Sequence, residues 1–235
     1  MIPIERVELD GVMKRRLEAK SALLRARRAG TAEARQSWRS ARTIRRGLAE
    51  KLTGMAPGLS RCMYCGDGEG TDIDHFRPIA SDPFGTFLWT NHLLACSHCN
   101  SNMKRDKYPC DASGSCLLVD PCRDDPHEHM ELNFATGIYF PLTAKGASTI
   151  EVFGLGRPVL VVGRAKAFVR CKAMLSHWLV LTGAGDDSGA EEVYESLRLQ
   201  PFADVLYAMV RRRDAPGAPV AFGREAVAAL RAIRW

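Results

Sequence analysis

Four cysteines constrain this chain more than any other feature: Cys62-x-x-Cys65 and Cys96-x-x-Cys99 bracket the segment Thr71-Asp-Ile-Asp-His-Phe-Arg-Pro78. Two thiolate pairs at this spacing can close a tetrahedral zinc site. The 30 residues between Cys65 and Cys96 must then fold back on themselves, as a hairpin with a loop does. Zinc stands in for the hydrophobic core that so small a module cannot build. Met-Ile-Pro-Ile-Glu-Arg at the start lacks the basic and apolar regions of a secretory leader, so the eight cysteines read as metal ligands or core residues of a cytoplasmic protein, not as disulfides.

At 235 residues and 46% hydrophobic content the chain can build one sizeable domain or two small ones. Its longest apolar run, Pro158 to Gly163, is too short to span a bilayer. Charge is unevenly spread. Residues 1–52 hold 14 Lys/Arg against 6 Asp/Glu, whereas the remainder holds 19 against 21. A polyanion-binding surface would therefore lie in the N-terminal arm, the alternative being a solvated helical face.

Periodicity predicts helices over 10–29 and 32–52, the second with a buried stripe of Trp38, Ala41, Ile44, Leu48 and Leu52. Arg35, Arg39, Arg42 and Arg46 share another face, suited to phosphates or to an acidic protein. The cysteine module, 61–109, reads as a strand over Thr71–His75, a return strand over Phe76–Ala80, an ordered loop over 81–90 and a helix from Ser97 to Arg105. Residues 110–163 read as an irregular loop and short-strand extension. Beyond it, 164–182, 190–213 and 223–234 read as helices of a C-terminal region covering 164–235. The expected fold class is α+β, a central ββα zinc module flanked by a basic arm (1–60) and C-terminal helices. No Walker-type or dinucleotide loop is present, so ATP hydrolysis by this chain is not expected.

Inside the zinc frame, Asp74 and His75 supply what phosphodiester hydrolysis needs: an oxygen ligand for Mg²⁺ or another hard cation, and an imidazole that takes a proton from water. Asn100, directly after the last cysteine, offers a second oxygen; His98 is its competitor. Lys104 and Arg77 are candidate phosphate contacts, weighed against plain solvation, and Trp89 reads as packing. Cys110, Cys116 and Cys122 with His127 and His129 lack a CxxC element and read as loop or core residues, not a second zinc site. Asp120, Asp124 and Asp125 read as loop caps, and Cys171 as core.

Taken together, Cys62-x2-Cys65, Asp74-His75, Asn91 and Cys96-x2-Cys99-Asn100-x3-Lys104 resemble the HNH endonuclease family, of ββα-metal fold. The resemblance implies His75 as general base, Asp74 and Asn100 as ligands of a catalytic Mg²⁺ or Mn²⁺, and Asn91 as the brace that orients His75. It also implies DNA cleavage leaving 5′-phosphate and 3′-hydroxyl ends, with RNA as the alternative substrate. A catalytically silent zinc module that binds nucleic acid or scaffolds a complex is the rival from another class; it would need none of these four residues. His75-Phe-Arg-Pro78, Trp89-x-Asn91-x-Leu93, Tyr108-Pro109 and Leu117-Leu-Val-Asp120-Pro121 with Asp125-Pro126 are similar to a bacterial subfamily that includes the nuclease subunits of Septu-type and some retron anti-phage systems. That likeness covers about 61–160 and implies an ATPase partner encoded nearby. The Trp38-Ile44-Leu48 stripe or the Trp178 helix would offer it an apolar face.

Overall fold

The computed structural model describes residues 1–233. After an extended start come α1 (Gly11–Ala26), α2 (Thr31–Ser40) and α3 (Arg42–Met55). Asp10 begins α1 by accepting the Met13 N–H at 2.8 Å. The helix expected over 32–52 is broken at Ala41, whose ψ of 50° lies outside the helical range. Trp38 thereby reaches the strand module, while Ile44 and Leu48 pack with Leu9, Met13, Leu17, Ile79 and Phe87 in a core of their own. Ile44 and Leu48 are therefore internal and only Trp38 of this stripe is partly exposed, so the stripe is not a free apolar face.

In the central module β1 (Asp72–His75) pairs antiparallel with β2 (His92–Ala95), placing His75 opposite His92. The return strand expected at Phe76–Ala80 is instead a turn: the N–H groups of Ser81 and Asp82 both bond to the Pro78 carbonyl. Proline has no N–H for a ladder, and the chain crosses two short 3₁₀ turns, Pro83–Phe87 and Trp89–Asn91, before β2 begins. A wide helical turn, His98–Lys104, completes the ββα unit and closes with Arg105 N–H on the Asn100 carbonyl at 2.8 Å.

Residues 110–163 are more helical than the composition suggests. They hold α4 (Pro126–His129), the hairpin β3 (Met130–Leu132) and β4 (Tyr139–Pro141), α5 (Ala144–Val152) and the start of α6 (Pro158–Gly183). Thr143 starts α5 by accepting the Gly146 N–H at 3.1 Å. Pro158 occupies the first position of α6, where a missing N–H costs nothing. Further on, Pro201 splits the helix expected over 190–213 into α7 (Asp187–Leu199) and α8 (Ala203–Arg212), with Gln200 extended and Phe202 left-handed at φ 65°. Two helices, α9 (Ala218–Phe222) and α10 (Arg224–Ala232), finish the described chain.

One main core joins the zinc module to α6, α7, α8 and α10, with Met1 and Ile4 entering it. Trp178 is half-buried against this core, so it does not form the free face that its helix suggested. The exposed apolar residues of α6 are Val159, Val162, Val169 and Val180. Among the described residues, no helix is long and apolar enough to cross a membrane.

Candidate active site

The cysteine frame comes first, because it fixes where β1 and the helical turn lie. All four cysteines are buried, and their sulfurs lie within 4.8 Å of one another, Cys65 and Cys96 at 3.9 Å. A tetrahedron with Zn–S bonds of about 2.3 Å has edges of about 3.8 Å, so the donor set fits zinc in kind and spacing. Gly66, at φ 69°, makes the left-handed turn that ends the first knuckle. Gly68 has no room for a side chain, since a Cβ there would sit 2.9 Å from that of Cys96. The Cys99 N–H points at Cys96 Sγ from 3.4 Å. Hydrogen bonds from neighbouring thiols push Cys65 down to about 6 and Cys96 further down, while burial pushes Cys62 up. Four such thiols cannot all ionise together, and a divalent cation removes that conflict.

Strand alternation then sorts the chemistry of β1 onto two faces. Asp72 and Asp74 face the helical turn. Asp72 Oδ2 accepts from Asn100 Nδ2 at 3.0 Å and from Ser101 Oγ at 3.3 Å. Asp74 is 3% exposed; it accepts from the Tyr64 hydroxyl at 2.5 Å and from Lys104 Nζ at 3.0 Å. Lys104 is wholly buried and also donates to the His75 carbonyl at 2.7 Å. It is an internal cation, and the phosphate contact expected of it is not available in this arrangement. Asn100 lies beside Asp72 rather than Asp74, and His98 is turned to solvent.

His75 lies on the opposite face, 9% exposed. Its Nε2 is 3.0 Å from the Thr86 carbonyl, and His92 Nε2 approaches the same oxygen at 3.0 Å. A carbonyl can only accept, so both Nε2 atoms carry the proton and the lone pair of His75 is on Nδ1. Trp38 meets His75 edge-on at 4.6 Å and stacks on His92 at 5.1 Å. Burial among these rings lowers the His75 pKa to about 4, so the ring is neutral at neutral pH.

Asn91 spans the loop that carries Thr86. Its Oδ1 accepts the Arg77 N–H at 2.7 Å, and its Nδ2 donates to the Arg77 and Gly85 carbonyls at 3.0 and 3.1 Å. Trp89 donates to the Val7 carbonyl at 3.0 Å, so it pins the N-terminal segment. Arg77 is exposed, lying over the Tyr108 ring. Of the arm's arginines, Arg42 and Arg46 line a cleft with Arg45, Trp38, Asp72 and Asn100; Arg39 does not line it and bonds Gln36. Among the described residues the four knuckle cysteines form the group of ligating side chains close enough to share an ion, and Cys110, Cys116 and Cys122 form no second one. Asp120, Asp124 and Asp125 accept the N–H groups of Cys122, Asp120 and His127, capping turns as expected, and Asp124 also pairs with Lys145. Cys171 is core.

Sequence reasoning did not find Thr86, His92, Tyr64 or Arg45. Thr86 acts through a backbone carbonyl, which has no residue signature. His92 could have been found had the strand facing β1 been placed at 92–95.

Residues 62–106 match the family model for HNH endonuclease. The segment carrying Asp74, His75, Asn91 and Asn100 is therefore an HNH endonuclease domain. The chain is also similar to the Septu protein PtuB of Bacillus mycoides (strain KBAB4), 33% identical over 136 residues, a match covering 45% of this chain and 46% of that protein. It thus spans about half the length of that relative. No solved structure matches the chain.

Proposed function

We propose that this chain is a divalent-metal-dependent endonuclease that hydrolyses DNA phosphodiester bonds, acting as the nuclease subunit of a cytoplasmic anti-phage defence complex. The observation that carries the reading is the imidazole of His75. Its Nε2 proton is held on the Thr86 carbonyl and its Nδ1 makes no hydrogen bond among the described residues, which is the state a general base needs. Asn91 fixes the loop bearing Thr86, and through it the ring's orientation.

In this reading His75 Nδ1 takes the proton of the attacking water. Asp74 and Asn100 would hold Mg²⁺ or Mn²⁺ through oxygen, with Asp72 a further carboxylate on the same face. Such a cation supplies charge stabilisation at the leaving oxygen. Admitting one requires Lys104 Nζ to give up Asp74 Oδ1; its bond to the His75 carbonyl can persist meanwhile. The cysteine site, separate in donor chemistry, keeps zinc as a structural ion.

The Septu likeness supports a defence role and an ATPase partner encoded beside this chain. With the Trp38 stripe packed inside the chain, the exposed valines of α6 are among the apolar residues available for contact with it. Incubating wild-type and His75→Ala proteins with plasmid DNA and with tRNA, in Mg²⁺ or Mn²⁺, tests the reading. It expects plasmid nicking that His75→Ala removes. Cleavage of tRNA alone would move the substrate to RNA, and no cleavage of either would favour a silent binding module. Co-expression with the neighbouring gene product, followed by pull-down, tests the partner.

A further inference from the structure

The arm's arginines do not form an even basic coat. Arg42, Arg45 and Arg46, within one turn or so of α3, face a cleft that Thr71, Asp72, Ile73 and Asn100 complete, with Trp38 also lining it. Three surface arginines elsewhere lie on close carboxylates: Arg35 on Asp106 at 3.0 Å, Arg211 on Asp125 at 3.1 Å and Arg231 on Asp214 at 2.9 Å. The cleft differs from exposed positions such as Arg15, Arg16 and Arg25 of α1 in gathering its arginines against β1. In the cleft, Arg46 has only Glu50 at 4.0 Å, both side chains largely in water. Arg42 and Arg45 have no ion pair among the described residues. Asp72, the one acid in the cleft, is already taken up by Asn100, Ser101 and Thr71. Like charges three and four residues apart on a helix repel, so this cluster opposes folding slightly until an anion arrives.

The cleft also touches the chemistry. Trp38, one of its walls, is the ring 4.6 Å from His75, and the Arg45 guanidinium lies over that same ring at 5.8 Å. Asn100 is the cleft's other link to the site. A planar guanidinium offers a fork that fits phosphate oxygens.

We propose that the cleft between α3 and β1 seats the phosphate backbone of the substrate nucleic acid, with Arg45 on the phosphate nearest His75 and Arg42 and Arg46 on its neighbours. The basic arm is then one wall of the active site rather than a separate tether. Arg45 is a binding and positioning residue that the sequence reading passed over. The inference rests on the nuclease reading for its substrate class, but its test reads binding and needs no turnover.

All proteins in that test carry His75→Ala, so that nothing is cut, and bind a fluorescent duplex oligonucleotide across a salt series in Mg²⁺. Arg42→Ala/Arg45→Ala/Arg46→Ala is compared with Arg15→Ala/Arg16→Ala/Arg25→Ala, which removes equal charge from exposed positions of α1. Each lost phosphate contact reduces the slope of log affinity against log salt by about 0.9, so the cleft triple is expected to flatten it by about 2.7. The α1 triple should leave the slope unchanged. Equal losses in both triples, or none in the cleft triple, overturn the proposal. If the cleft triple does not melt cooperatively with its zinc, Arg45→Gln carries the test, with an expected slope change of about 0.9 and overturn if there is none. A wild-type chain that cuts nothing while the cleft triple alone loses binding would sink the nuclease reading and leave the cleft standing.

Discussion

Lys104→Met removes one half of a buried ion pair and leaves the other in place. Nζ donates to Asp74 Oδ1 at 3.0 Å and to the His75 carbonyl at 2.7 Å, and neither charged side chain is more than 3% exposed. Methionine has similar bulk, so little packing is lost. What remains is a carboxylate facing the Tyr64 hydroxyl with no cation and almost no water. Stranding one charge of a buried pair costs about 3–5 kcal/mol. For 235 residues the entropy of unfolding is about 0.5 kcal/mol/K, which converts that loss into a drop in Tm of about 6–10 °C. Differential scanning fluorimetry on zinc-loaded protein measures it. Adding Asp74→Asn should restore most of the drop, since an amide keeps a hydrogen bond to Tyr64 without the stranded charge. A Lys104→Met protein melting within 1 °C of wild type, on the order of a few tenths of a kcal/mol, would refute the buried pair and return Lys104 to the surface, where it could reach phosphate.

His75→Ala should lower cleavage by about 10²–10⁴ while zinc content stays intact, checked by plasmid nicking beside metal analysis. Metal analysis should find about one zinc per chain, retained through mild chelation that stops cleavage, with activity restored by Mg²⁺ or Mn²⁺ alone. Cys62→Ser and Cys96→Ser should lose zinc and cooperative melting together, and a folded, zinc-loaded Cys96→Ser protein would remove the four-cysteine site. His75 is held at about 4 against 6.5 when unfolded, so its contribution is present above pH 6.5 and is lost as the pH falls through 4. That loss is about 3 kcal/mol, read as a falling Tm between those pH values, and His127, also lowered to about 4, acts in the same direction. The acid limb of the cleavage rate should likewise lie near 4; a limb at 6.5 would mean that Trp38 leaves His75 in the working state.

What the sequence determined by itself is local and chemical. Two CxxC pairs fix a four-sulfur site wherever they meet, and the turn between them must reverse the chain. Asp74-His75, Asn91 and Asn100 stand at motif spacing inside that frame, and the stripe of α6 shows its buried side. Alternation even states that Asp74 and His75 point to opposite faces of β1. It does not state what covers each face, because the partners come from distant parts of the chain. The strand opposite β1 starts at His92 because Pro78 and the turns after it cannot pair, and only that register brings His92 beside His75. Trp38 reaches His75 because α2 breaks from α3 at Ala41, while Lys104 reaches Asp74 because the helical turn packs across the strand. The same packing turned Lys104 from a surface cation into an internal one, and made Arg45, beside Trp38, part of the site. Those assignments depend on long-range contacts whose energies come from burial and pairing, and no local spacing encodes them.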